Sequence, residues 1–330
     1  MQQSMLKFAN MRRVIILILS FLFSAMALSP SRGFAFWVWT PETNKWENPK
    51  YAVKDTPSEQ LQHALTFYQS KEYKESVREL RKLIDHYPRA REAADAQYYI
   101  GSSWEQMDNP QEAFKNYQEV IDKYPFSERS AEIVEKQYDI AVKLLEGRGK
   151  RGLLAQTFSN MDYPAVDMFK AVIKNAPYGK LAAPARYKIG LYFLENAMYQ
   201  EARDEFEKVM NDYPEGEWAR AAKYQIAVSD SKRSADAPYD QKITQAAVKE
   251  FKEFVEHYPD AELSSQAKDQ IQGLRDKEAE SNFHIAQFYE KNKKYDSARI
   301  YYQMIVDEFQ NSRWTAQALN KIRELNQKVQ

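Results

Sequence analysis

Four histidines are the side chains in this 330-residue chain best suited to proton transfer near neutral pH or to holding a transition metal. Their spacing argues against both roles. His86 and His257 each stand directly before a Tyr-Pro dipeptide, in Asp85-His86-Tyr87-Pro88 and Glu256-His257-Tyr258-Pro259, so they recur in phase with a structural repeat. His63 and His284 lie far apart, there is no Cys, and no second His stands at metal-ligand spacing. Gly147-Arg148-Gly149-Lys150-Arg151-Gly152 superficially resembles a phosphate cradle, but it lacks the Lys-Ser/Thr ending and a preceding strand. It reads as a flexible basic turn and a candidate docking loop. No Gly-x-Ser-x-Gly elbow or dinucleotide fingerprint is present. Acidic residues fall beside Lys or Arg three or four positions away, as Glu205 does with Lys208, which describes solvated helix faces. The sequence predicts no catalytic set, no metal and no cofactor.

What recurs instead is a packing pattern. Ile100-Gly101…Trp104…Ala113…Tyr117…Val120…Pro125 and Ile189-Gly190…Phe193…Ala202…Phe206…Val209…Pro214 share the same intervals from Gly: +3, +12, +16, +19 and +24. A small residue on each of two helices lets their backbones approach, the aromatics fill the groove beside them, and Pro ends the second helix. On the same ruler lie Ala64, Phe67, Ser76, Leu80, Leu83 and Pro88, and also Ala286, Tyr289, Ala298, Tyr302 and Ile305, with Gln310 in the Pro slot. Two further copies fit only with longer inter-helix turns. Ala141 and Leu144 pair with Ala165, Phe169, Val172 and Pro177, and Ala227 pairs with Ala247, Phe251, Phe254 and Pro259. The extra residues centre on Gly147 and Gly152 in one copy, and on Arg233 and Asp240 in the other. The pattern matches the tetratricopeptide (TPR) repeat and predicts an all-α, TPR-like α-solenoid of about six helical hairpins plus a C-terminal capping helix. The units are expected at about 57–90, 94–127, 134–179, 183–216, 220–261 and 279–312, with the closing helix over 313–329.

Local signals sharpen the outline. Thr56-Pro57-Ser58-Glu59 and Asn109-Pro110-Gln111-Glu112 read as helix starts, with an N-cap side chain followed by Pro at the first helical position. Few turn signals beyond Gly273 interrupt 260–294, which predicts one long helix or a pair bent there. Trp314, Ala318, Ile322, Leu325 and Val329 share one side of the closing helix. No β-like alternation of useful length appears.

Lys7, Arg12 and Arg13 precede an apolar run over 14–23, then Ala25-Met26-Ala27 and Gly33-Phe34-Ala35. This is the build of a secretory signal peptide, assigned to 1–35, with two candidate cleavage sites. Without it the chain holds 43 basic and 47 acidic residues, a balance that gives no electrostatic case for a nucleic-acid partner. The absence of Cys excludes disulfides and a lipidated Cys, and leaves stability to packing. Residues 36–55 form an extended linker that places Trp37, Trp39 and Trp46 within ten residues. They are expected either to cap the first repeat's apolar face or to sit at a membrane interface or in a partner's groove, which allows peripheral membrane association.

Binding is what remains. The positions three before each repeat's Gly or Ala, and one, four and five after it, are expected to line a concave face. They are Leu61, Leu65, Tyr68 and Gln69 in the first unit, Tyr98, Ser102, Glu105 and Gln106 in the second, and Tyr187, Leu191, Leu194 and Glu195 in the fourth. A face of Tyr and Leu with scattered carboxamides and acids suits an extended peptide, with about half of these side chains expected to be core instead.

Phe67-Tyr68…Tyr73…Leu80…Leu83…Tyr87-Pro88-Arg89-Ala90, then Ala94…Ala96…Tyr99-Ile100-Gly101 and Ala113-Phe114…Tyr117…Ile121…Tyr124-Pro125, resemble BamD-like (YfiO-type) periplasmic proteins, as does the 37-residue step between Pro88 and Pro125. The likeness covers roughly 56–260 and the rest more loosely. It implies a helical scaffold on the periplasmic face of the outer membrane, joined to a β-barrel insertase and binding unfolded outer-membrane proteins. The missing lipid-bearing Cys and the sixth unit depart from that family. The runner-up resemblance, to the TPR region of CpoB (YbgF), implies an adaptor for Tol-Pal, peptidoglycan or division machinery. No heptad-rich oligomerising segment precedes the repeats, as that family would require.

Overall fold

A computed structural model describes residues 37–40, 45–47, 52–147, 164–236 and 241–328. The expected signal segment, the basic stretch after Gly147 and Val329 lie outside the described residues. Among those described, thirteen helices follow a single small hairpin. The chain divides into two compact units between Ala96 and Gln97, and each is described by itself.

The first unit opens with strands β1 (Val38–Thr40) and β2 (Lys45–Glu47), antiparallel with Trp39 opposite Trp46. They lie within the extended linker expected over 36–55, and at three residues each they are too short for alternation to register in the sequence. Trp37, Trp39 and Trp46 are also exposed, by 64%, 42% and 62%, and do not form a buried cap. The chain entering the helices is pinned instead by residues 54 and 55. The Lys54 N–H donates to Gln60 Oε1 at 2.9 Å, and the Tyr87 hydroxyl donates to the carbonyls of Lys54 and Asp55.

Helix α1 (Pro57–Gln69) begins where Thr56 is extended and its hydroxyl accepts the Glu59 N–H at 3.2 Å, with Pro57 in the first turn. Helix α2 (Tyr73–His86) packs antiparallel to it, burying Ala64 against Leu80 and Leu83. The next helix, α3 (Arg91–Gln106), carries the boundary between the units.

The second unit continues with α4 (Pro110–Lys123), α5 (Ser130–Gly147), α6 (Pro164–Asn175), α7 (Ala182–Glu195), α8 (Tyr199–Asp212), α9 (Glu217–Asp236), α10 (Gln241–His257), α11 (Glu262–Lys291), α12 (Tyr295–Glu308) and α13 (Thr315–Lys328). Each packs on the next in sequence, as in a stack of TPR-like hairpins. The shared interval is visible as side-chain contact. A Cβ built on Gly101 would lie 2.7 Å from Tyr117 Cδ1, and one on Gly190 would lie 2.6 Å from Phe206 Cε1. The ring of the second helix therefore rests directly on the backbone of the first.

Four hairpins close with the same turn. Lys71, Asp108, Ala197 and Lys293 have φ of 63°, 56°, 59° and 59°, each seven residues past the small residue. The following N–H reaches back to the carbonyls of Phe67, Trp104, Phe193 and Tyr289 respectively. A left-handed non-Gly residue costs roughly 1–2 kcal/mol, and the turn recurs because this bond and the aromatic contact beneath it outweigh that cost.

In the hairpin of α9 and α10 the position seven past Ala227, Ser234, is still helical. Of the eight extra residues expected as a longer loop, Arg233 to Asp236 instead prolong α9, which runs for 20 residues, and 237–240 lie outside the described residues. Helix α11 spans 30 residues without interruption at Gly273, so the long single helix is the form adopted. Its first half packs on α10 and its second on α12. Helix α13 then buries Ala318 and Leu325 against the last hairpin.

Candidate functional site

The positions expected to line a binding face divide sharply once packed. Tyr98 is 6% exposed, its hydroxyl donates to the Glu132 carboxylate on α5, and the Arg129 guanidinium lies 4.4 Å from its ring centroid. Burial, and then the neighbouring carboxylate, push its ionisation far above the ordinary tyrosine range. Tyr187 occupies the equivalent place. Its ring packs 5.3 Å from both Phe206 and Trp218, and its hydroxyl accepts from Gln225 Nε2 at 3.3 Å on α9. Ser102 is 5% exposed, and Leu191 and Leu194 pack against the core. Tyr98, Ser102 and Tyr187 thus sit in the seam between successive hairpins, and Leu191 and Leu194 stay half-buried beside it.

Glu105 also belongs to that seam. Its carboxylate accepts the Tyr117 hydroxyl at 2.7 Å and Lys136 Nζ, from α5, at 3.0 Å. Burial alone would raise its pKa, but the Tyr117 hydrogen bond and Lys136 outweigh that and hold it below its ordinary value. Helix α3 is thereby tied to both α4 and α5 at one atom.

The remaining positions stay accessible. In the first unit Leu61, Leu65 and Tyr68 are half-buried and Gln69 is exposed, with the Tyr68 ring edge-on to Tyr73 at 5.5 Å. Gln106 and Glu195 are exposed in the second. Sequence reasoning missed a separate apolar surface. A cleft of about 530 Å³ is lined by Ile121, Pro125, Val134, Ala176 and Leu181, with a Glu135–Lys180 ion pair of 2.6 Å at its rim. Beside its lining residues in sequence stand Phe126 and Tyr178, which are 98% and 97% exposed. The available signal was an aromatic residue directly after each of two helix-ending prolines, Pro125-Phe126 and Pro177-Tyr178.

Comparison with known proteins agrees with this architecture. Residues 227–330 match the YfiO family model, described as outer membrane lipoprotein, and residues 95–127 and 184–216 match a tetratricopeptide repeat model. The BamD-like resemblance is therefore borne out, with the family match falling on the C-terminal hairpins, where the motif likeness was looser. No curated protein matches. Among solved structures, the C-terminal part of a TPR repeat-containing protein from Cytophaga hutchinsonii is 14% identical, covering 81% of this chain and 88% of that one, with a TM-score of 0.34. The TPR protein YrrB is 16% identical, covering 70% and 100%, with a TM-score of 0.33. MamA from Desulfovibrio magneticus RS-1 is 15% identical, covering 64% and 99%, with a TM-score of 0.31. The chain is a TPR-type protein-interaction scaffold.

Proposed function

We propose that this scaffold is a non-enzymatic periplasmic protein associated with the outer membrane, and that it takes part in the assembly of outer-membrane β-barrel proteins. The observation that carries the reading is the outer membrane lipoprotein family match over the second half of α9 and all of α10, α11, α12 and α13. The basic and apolar N-terminal pattern of an export signal supports the same compartment. Within this reading, Leu61, Leu65, Tyr68 and Gln69 on α1 take extended segments of client proteins, because each keeps part of its side chain at the surface. The C-terminal hairpins hold a fixed partner.

Affinity capture from detergent-solubilised envelopes tests the assignment. A β-barrel insertase among the retained proteins is the expected result. Recovery of Tol-Pal or cell-wall synthases in its place would move the protein to the alternative envelope adaptor role. Photo-crosslinking separates the sites: a probe at Leu65 or Tyr68 should capture clients, and a probe at Gln303 on the exposed side of α12 should not.

A further inference from the structure

The β1–β2 hairpin gathers three indoles on one side. Trp39 and Trp46 are cross-strand partners whose rings meet edge-on at 5.6 Å, and Trp37, two residues before Trp39, falls on the same face by strand alternation. Val38 belongs to the other face. An isolated two-stranded hairpin is marginal in water, and one that leaves its Trp rings 42–64% exposed gains little from them as a solitary element.

We propose that this Trp face inserts into the lipid interface and anchors the protein to a membrane. Three observations select lipid as the occupant. Indole has an apolar body and one polar N–H, the combination that partitions to the boundary between headgroups and acyl chains. The family matched at the C-terminus is described as a lipoprotein, and these 330 residues hold no Cys that could carry an acyl group. Residues 36–55 also balance Glu42, Glu47 and Asp55 against Lys45, Lys50 and Lys54, leaving no net charge to seek an acidic or basic protein surface. The attachment is thus apolar and interfacial, and insensitive to salt. It rests on the envelope location proposed above.

The test uses the exported chain recovered from the envelope of an expression host, and vesicles of phosphatidylethanolamine and phosphatidylglycerol carrying brominated acyl chains. The chain should co-sediment with the vesicles, its Trp emission should be quenched by the bromines, and raised salt should change neither result. A Trp37→Ser, Trp39→Ser, Trp46→Ser variant should stay in the supernatant with unchanged far-ultraviolet circular dichroism and thermal unfolding. Absence of quenching in the unsubstituted chain overturns the proposal without reference to any variant, and so does equal vesicle binding by the triple variant. In detergent the triple variant should still retain the partner proteins. Loss of those partners would count against the scaffold assignment, and loss of vesicle binding alone would not.

Discussion

Hairpins α3–α4 and α7–α8 place side chains of similar size at the same intervals but differ in chemistry at two linked positions. In α3–α4 the ring on the glycine is Tyr117, and the residue four after that glycine is Glu105, which accepts its hydroxyl and pairs with Lys136. In α7–α8 the ring is Phe206 and the corresponding residue is Leu194. The last hairpin repeats the polar version: Tyr302 donates to Glu290 at 3.0 Å, and Lys321 lies 3.5 Å from that carboxylate. In the hairpins of Phe169 and Phe251 the position four past the small residue holds Leu145 and Ser231. A buried phenol needs an acceptor, and the acceptor, once half-buried, needs a cation from the next helix. The polar hairpins therefore carry a lysine of the successor helix at this position, whereas α7–α8 meets α9 there through Tyr187, Trp218 and Gln225, and its charged link, Arg203 with Asp230 at 3.2 Å, lies on the second helix of the hairpin.

The largest effect should be indifferent to this distinction. Tyr117→Ala and Phe206→Ala each remove a side chain 0% exposed at a helix crossing, and each should cost about 3–5 kcal/mol. Because arrays open locally, amide hydrogen exchange in the affected hairpin is the appropriate measure. A much smaller loss in one of the two would mean that the shared ruler does not correspond to shared packing.

Next in size are Gly101→Ala and Gly190→Ala. Alanine should gain roughly 0.5–1 kcal/mol of helix propensity. The new Cβ would meet a ring atom at 2.7 Å or 2.6 Å, and overpacking of that kind costs about 1–3 kcal/mol. The clash wins, so chemical denaturation should show both variants destabilised. A stabilised variant would show that the ring can slide away from the backbone.

The repeat register was legible because it is local: a small residue and a ring sixteen positions later meet within a single hairpin, and a Pro follows the end of its second helix. The binding face was less so. Whether Tyr98 faces a ligand or a seam depends on Glu132 and Arg129 in the following hairpin, 34 and 31 residues away, and the ruler assigns those positions no role. Leu61 and Leu65 occupy the same offsets and remain only half-buried, so an offset alone does not separate seam from surface. The length of α9 was hidden for a related reason: residues 228–236 contain no breaker before Pro238, and a loop was inferred only from the count of surplus residues.

Exchanging the ring types sharpens the comparison. Phe206→Tyr would place a hydroxyl near Leu194 with no acceptor and should cost about 1–3 kcal/mol, whereas Tyr117→Phe gives up one hydrogen bond to a partly solvated carboxylate and should cost about 1 kcal/mol. In a double-mutant cycle, Phe206→Tyr combined with Leu194→Glu should destabilise less than the two single changes added together. Strict additivity would mean that the tyrosine–glutamate coincidence carries no coupling.

Acid provides the smallest and most selective test. The Glu105 pKa lies below its ordinary 4.5, so its pairing contributes stability that is fully present above 4.5 and is lost as pH falls through the lowered folded value. The contribution is modest, because the Glu105 side chain keeps 24% of its exposure and solvent screens its ion pair with Lys136. Hairpin α7–α8 has Leu194 in that position and lacks this term. Many carboxylates titrate together on acidification, so the informative quantity is a difference: the stability gap between the unsubstituted chain and Glu105→Gln, followed by amide exchange in α3 and α4 from neutral pH downward. The gap should be constant above 4.5 and close below it, while amides in α7 and α8 show no variant-dependent change over the same range. A gap that persists at low pH would place the role of Glu105 in its shape and hydrogen bonding, leaving its charge without a part in joining one hairpin to the next.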